Sequence, residues 1–266
     1  MLGSVVVPAG WAIQKANDNR KVLELIATKP FDLIITSEKT TAMEDVELLH
    51  KIRRVRPHTK MIILTDATTP AEVIACMRER AFSCFSKPFS LDTLADMVRQ
   101  AMEGPCWDDG IELMSATPAW IRLAVRCEVH TADRLMQFFR EVSDLPDPEK
   151  TAVATAFREM LLNAIEHGGH FDPDQYVEIS YVTTKRMVGC RVRDPGEGFS
   201  RDEILHAAVA NPPDDPIRHA TVREELNMRP GGFGVLIAKN LVDELIYNEK
   251  GNEVLLVKYL DRGAHS

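Results

Sequence analysis

Short apolar runs alternate with stretches of helical periodicity over about the first hundred residues. That rhythm restricts this part of the chain to a parallel sheet covered by helices. Strands are expected at Ala12 to Gln14, Leu33 to Thr36, Met61 to Thr65 and Cys84 to Ser86. Between them, Asn19 to Thr28 places Val22, Leu23, Leu25 and Ile26 on one face, and Val46 to Arg54 does the same with Val46, Leu48, Leu49 and Ile52. Pro70 to Arg80 and Leu91 to Met102 supply two more helices, and Pro88 suits a sharp strand-to-helix turn.

From Glu103 to Pro118 the periodicity lapses into Gly104, Pro105, Asp108, Asp109 and Gly110, the composition of a connection. A chain of 266 residues exceeds one typical domain. The expected division is therefore a first domain over 1–103, a linker over 104–124 and a second domain over 125–262. In the second, helices are expected at Thr131 to Val142, Lys150 to His167 and Gly234 to Leu245, with strands at Val177 to Thr183, Val188 to Arg193 and Val254 to Tyr259. The run from Ser200 to Arg229 is broken by Asn211-Pro-Pro-Asp-Asp-Pro, and a long charged loop in a compact domain is more often functional than not.

Composition narrows the classes. With 40 Asp+Glu against 32 Lys+Arg the net charge is -8, which argues against a surface built to neutralise nucleic acid. Cys76, Cys84, Cys106, Cys127 and Cys190 are odd in number and lack metal spacing, so reduced thiols are expected rather than disulfides or zinc. No apolar run approaches the roughly 18 residues of a membrane span, and no basic-then-apolar leader opens the chain. A cytoplasmic protein binding neither membrane nor nucleic acid is the expectation.

Three segments carry chemistry. Glu159, Asn163 and His167 recur at i, i+4 and i+8, a polar seam on a helix otherwise made of Met160, Leu161, Leu162, Ala164 and Ile165. A solvated face explains such a seam equally well. Asp194-Pro-Gly-Glu-Gly follows a strand, so a carboxylate stands beside Gly196 and Gly198, where a ligand can approach the backbone. Alone, it reads as an ordinary turn. Pro230-Gly-Gly-Phe-Gly opens a periodic helix, placing free N–H groups and a positive helix end in a glycine bed that suits phosphate. Neither a P-loop nor a dinucleotide fingerprint accounts for these glycines.

In that order, the three segments resemble the boxes of the GHKL ATPases, and among them the anti-sigma-factor serine kinases. Glu159-x-x-x-Asn163-x-x-x-His167-Gly looks like the N box, Asp194-x-Gly196-x-Gly198 like the first glycine box, and Gly231-Gly-Phe-Gly234 like the second. The resemblance runs from about Glu128 to Leu260 and implies an α/β sandwich with a mixed sheet, binding ATP or ADP with Mg2+. Asn163 would be the metal ligand, since Mg2+ takes few protein ligands when phosphates supply the rest. Asp194 would accept from the adenine amine, with Gly196 and Gly198 passing close to base and sugar. Gly231, Gly232, Phe233 and Gly234 would wrap the phosphates beneath a lid at Ser200 to Arg229, where Arg223 and Arg229 read equally as γ-phosphate contacts or as solvated lid charges. Glu159 would be the general base in phosphoryl transfer, and His167 would pack or touch nucleotide without being catalytic.

Residues 10 to 102 resemble a response-regulator receiver, a flavodoxin-like parallel sheet. Thr65 and Lys87-Pro88 match that family's switch threonine and lysine, but Ser37 stands at the phosphoacceptor position. A neutral hydroxyl cannot replace a carboxylate nucleophile. The acidic pair expected after a first strand has no counterpart, so the sheet is expected to be incomplete and the domain a pseudo-receiver. Glu38 or Asp66 would be needed to restore a metal site.

The two resemblances together imply an ATP-dependent serine/threonine protein kinase that phosphorylates a STAS-like anti-sigma antagonist, exchanges it for a sigma factor, and forms a homodimer. Two alternatives remain open: a nucleotide-dependent partner-binding module without kinase activity, and a histidine-kinase-type ATPase acting on a separate phosphotransfer protein. The second is disfavoured because no helical hairpin precedes Glu128.

Overall fold

A computed structural model of the chain describes residues 11–37, 40–104, 110–198 and 233–260. It divides into one compact unit over Met1–Asp109 with Gln137–Asp144, and another over Gly110–Met136 with Leu145–Ser266.

The first unit runs α1 (Asn19–Thr28), β1 (Leu33–Ile35), α2 (Ala42–Val55), β2 (Lys60–Thr65), α3 (Pro70–Arg78), β3 (Ser83–Ser86) and α4 (Leu91–Glu103). Its strands pair in parallel in the order β1-β2-β3. Helix starts are set by side-chain caps: Asp18 accepts from the Lys21 amide at 2.7 Å, and Thr41 with Glu44 and Thr69 with Glu72 form capping boxes. The Thr41 box starts α2 ahead of Val46, where periodicity alone placed it. Ile62, Leu64, Phe85, Leu94, Met97 and Val98 form a core cluster against which Trp11 and Leu33 pack. At about 1.5–3 kcal/mol per large apolar side chain buried, this cluster holds the helices to the sheet.

The strand expected at Ala12 to Gln14 is absent: these residues form no ladder, and Ile13 is 57% exposed. A short apolar stretch gains strand geometry only by pairing, and here Trp11 packs instead. Residues 1–10 and Glu38 lie outside the described residues. Lys87 is ion-paired to Asp66 at 3.1 Å, and Ser37 is exposed. The segment Gln137–Asp144 belongs to this unit: Gln137 donates to the Cys84 carbonyl at 3.0 Å, and the Ser86 amide donates to Glu141 at 3.1 Å.

Asp45, on α2, is fully buried and accepts from the Thr40 hydroxyl at 2.9 Å. Burial pushes its carboxyl above the usual range, against the pull of the neighbouring Thr36, Thr40 and Asn19 side chains. The folded chain therefore holds this proton more tightly than the unfolded chain. That stability is present in acid and lost as pH rises through the folded value. Asp45→Asn should raise stability at pH 7 by about 1 kcal/mol, the scale of one buried hydrogen-bonding change, and flatten the acid dependence. Denaturant melts across pH 4 to 7, read as ~0.5-unit steps, check it.

The second unit runs β4 (Ile111–Thr117), β5 (Trp120–Arg126), α5 (Val129–Val142, its second half counted above), α6 (Asp147–Asn163), a π turn (Ala164–Gly168), β6 (Tyr176–Thr183), β7 (Met187–Arg193), α7 (Gly234–Leu241), β8 (Glu244–Tyr247) and β9 (Glu253–Tyr259). The strand order is β4-β5-β6-β7-β9-β8, and the described pairings are antiparallel. Helix α6 packs on β7 and β9 with α7 beside it. Val153, Phe157, Met160 and Leu161 are buried, as are Ile179, Val188, Val192, Val254 and Leu256 on the strands.

Three expectations change. The stretch read as linker carries β4 and β5, where Ile121, Leu123 and Val125 are buried in alternation with Trp120, Arg122, Ala124 and Arg126. The helix expected from Gly234 to Leu245 stops at Leu241, because Glu244–Tyr247 pairs with β9 and Asp243 binds the Tyr259 amide. The helix expected from Lys150 to His167 begins at Asp147 and gives way to the π turn after Asn163. Among the described residues, no helix is long and apolar enough to cross a membrane.

Candidate functional site

The acid and amide of α6 meet the start of α7. Glu159 and Asn163 are half-buried one turn apart, with Met160 and Leu161 buried between them. A Cβ at Gly234 would lie 2.9 Å from Glu159 Oε2 and 3.3 Å from Asn163 Nδ2. A side chain at 234 would push the free ends of that pair aside, a shift that glycine avoids. Phe233, just before α7, is 47% exposed. Gly231, Gly232, Arg223, Arg229 and the Ser200 to Arg229 lid lie outside the described residues.

The far end of the seam meets the aspartate loop. In the π turn the Gly169 amide donates to the Ala164 carbonyl at 2.9 Å, the wider spacing such turns bring at functional sites. The turn ends on Gly168, where an added Cβ would strike the Asp194 side chain. Gly196 closes the same contact: its Cβ would stand 3.0 Å from the Gly168 Cα and 2.9 Å from Asp194 Oδ1. His167, within the turn, is exposed. The structure thus brings together Glu159, Asn163 and Gly234 at one end, and Gly168, Asp194 and Gly196 at the other.

Asp194 Oδ1 accepts from the Gly196 amide at 2.8 Å, an Asx turn that fixes the carboxylate on its own loop. Burial raises its pKa, opposed by that amide and by the charges of Lys250 and Arg193. Gly198 adopts φ +86° and an added Cβ would strike the Lys250 carbonyl, a conformation and a space that exclude a side chain.

Several contributors escaped the reading from sequence. Tyr247 on β8 contacts Met160 Sδ through its hydroxyl at 3.4 Å, and burial with the Asp194 charge pushes that hydroxyl up to about 12. Asn248, Lys250 and Asn252, in the turn between β8 and β9, contact the aspartate loop or one another. As two asparagines and a lysine in a hairpin turn they carried no signal beyond turn formation.

Residues 124–258 match the family model described as histidine kinase-like ATPase domain, and residues 2–99 match the response regulator receiver domain. The anti-sigma F factor of Bacillus cytotoxicus is 32% identical over 116 residues, covering 42% of this chain and 70% of that protein. That of Geobacillus sp. strain WCH70 is 31% identical over 117 residues, covering 43% and 72%. The transcriptional regulatory protein GlrR of Escherichia coli K12 is 24% identical over 127 residues, covering 46% of this chain. The match spans only 29% of GlrR's own length. Among solved structures, a CheY-like response regulator receiver domain protein from Methanospirillum hungatei JF-1 is 23% identical, covering 39% of this chain and 86% of that one with a TM-score of 0.34.

Proposed function

Because the chain belongs to the histidine kinase-like ATPase family, carrying a receiver domain ahead of the ATPase, we propose that it is an ATP-dependent protein serine kinase of the partner-switching type. The likeness to anti-sigma F factors supports a STAS-like antagonist as substrate and a sigma factor as the exchanged partner. With Ser37 at the acceptor position, the receiver domain regulates without taking up phosphate.

The carrying observation is the convergence of Glu159, Asn163 and Gly234, with Gly168 packed on Asp194 at the other end of the same helix. The donor set suits Mg-ATP: a carboxylate and a neutral amide stand together beside the start of α7, where glycine lets the backbone come close. Asn163 would offer its amide oxygen to Mg2+, a hard neutral donor of the kind that ion accepts. The first-turn N–H groups of α7 and its positive end would face phosphate. Asp194 would accept from the amine that distinguishes adenine. Bound Mg-ATP supplies an electrophilic γ-phosphoryl group whose charge the metal spreads. Glu159 would take the proton of the attacking serine hydroxyl. His167, exposed in the π turn, would border the nucleotide.

The test incubates the purified chain with radiolabelled ATP, Mg2+ and STAS-domain proteins encoded by the same genome. Acid-stable label on one of them is expected. Acid-labile label would identify histidine-kinase chemistry, and saturable ATP binding without transfer would leave a binding module, either of which overturns the serine-kinase reading.

A further inference from the structure

We propose that the turn between β8 and β9 is the positioning element for Asp194, with Asn252 and Lys250 setting the preference for adenine over guanine nucleotides. This rests on the nucleotide-binding reading above and adds to it the residues that hold the base-reading carboxylate in place.

The loop that carries Asp194 has little to stiffen it from within. Gly196 and Gly198 remove side chains at two of its five positions, and glycine backbones hold a given conformation only when something outside fixes them. Besides the packing of Gly168, the outside hydrogen bonds described for this loop come from the turn between β8 and β9. The ladder between β7 and β9 runs one bond past its last pair, with the Asp194 amide donating to the Asn252 carbonyl at 3.0 Å. Asn252 is only 5% exposed, and its side-chain amide donates to the Gly196 carbonyl at 3.2 Å and toward the Asp194 carbonyl at 3.4 Å. Both N–H donors of that amide therefore face the loop. Its orientation is set from behind: Asn248 donates to Asn252 Oδ1 at 3.0 Å, which requires the oxygen on that side and the nitrogen on the loop side.

Lys250 adds a second tie, its ammonium donating to the Gly196 carbonyl at 3.1 Å while its own carbonyl backs Gly198. The turn is rigid in turn, since the Gly251 amide donates to Asn248 Oδ1 at 2.8 Å with Gly251 at φ +80°. The carboxylate of Asp194 is thus referred to the turn through Gly196, whose amide it accepts and whose carbonyl Asn252 and Lys250 hold. A carboxylate discriminates an amine from a carbonyl on a purine only if it is held within hydrogen-bond reach of that position. Loosening the loop should cost discrimination as well as affinity, because the phosphate contacts assigned to the start of α7 lie outside it.

The experiment measures binding of ADP and GDP, each with Mg2+, by titration calorimetry on the full chain and on Asn252→Asp, Lys250→Met and Lys250→Arg, with thermal melts alongside. Asn252→Asp keeps shape and the acceptor for Asn248 but turns the donors into a carboxylate aimed at two carbonyls. ADP affinity should fall roughly 10- to 100-fold, with the ADP/GDP ratio moving toward one. Lys250→Met, on an exposed side chain, should keep the melting temperature and lower the ADP/GDP ratio about threefold, and Lys250→Arg should restore it. If Asn252→Asp does not fold, the Lys250 pair decides. A wild-type chain that prefers ADP, with Lys250→Met and, where it folds, Asn252→Asp keeping its ADP/GDP ratio whatever their melting temperatures, overturns this inference alone. A wild-type chain with no saturable ADP binding overturns the nucleotide reading, and the inference with it.

Discussion

Asn163→Ala should abolish Mg2+-dependent phosphoryl transfer. Loss of a direct metal ligand costs more than the roughly 10- to 100-fold that removal of an outer-shell partner does. Asn163 stands one helical turn from Glu159, with its amide atoms the next neighbours of Gly234 after Glu159 itself. Alanine keeps the helix, being its best former, and leaves the contact with α7 looser rather than clashing. The expected pattern is ADP binding that no longer responds to Mg2+ while the melting temperature stays within a few degrees of wild type, together with no labelled partner. Magnesium-responsive binding retained in the variant would remove Asn163 from the metal and place it in the packing of α6 against α7.

Glu159→Gln should cut turnover by roughly 10²- to 10⁴-fold, the range for loss of a positioned general base, and leave ADP affinity within about threefold. The substitution keeps volume and one carbonyl oxygen for whatever Glu159 Oε2 touches near Gly234, and deletes only the ability to take a proton. Single-turnover transfer to the partner, compared with calorimetric ADP binding, separates the two quantities. A matching loss in both would make Glu159 a support for the α7 start rather than a base.

The grouping of the candidate residues was legible where it depended on residue type. Asp and Gly after a strand, and an acid and amide a helical turn apart, are local patterns, and the structure places Glu159 and Asn163 at Gly234 and Asp194 on Gly168. Among the capped helices α1 was readable to the residue, whereas the start of α2 at the Thr41 box was missed by four residues. What failed was decided by pairing at long range. The Ala12 to Gln14 run and the β8 segment have similar apolar content, yet only β8 finds a partner strand, in β9. β5 was lost to its glycine- and proline-rich approach although its alternation is strict, a signal that a period-two count over Trp120–Arg126 recovers. Asn252 was invisible because its role exists only through the register that sets Arg193 beside Glu253.

The hairpin of β4 and β5 bears on how the half that matches the ATPase family should be excised for study. The matched family segment opens at residue 124, two residues before β5 ends. A fragment cut there would strip Ile121 and Leu123 from the interior and leave β6 unpaired along the side that Trp120–Arg126 covers. Such a bare flank invites strand addition and precipitation. Beginning at Gly110 keeps the sheet whole, so an inert or insoluble shorter fragment would report on where it was cut rather than on what the chain does.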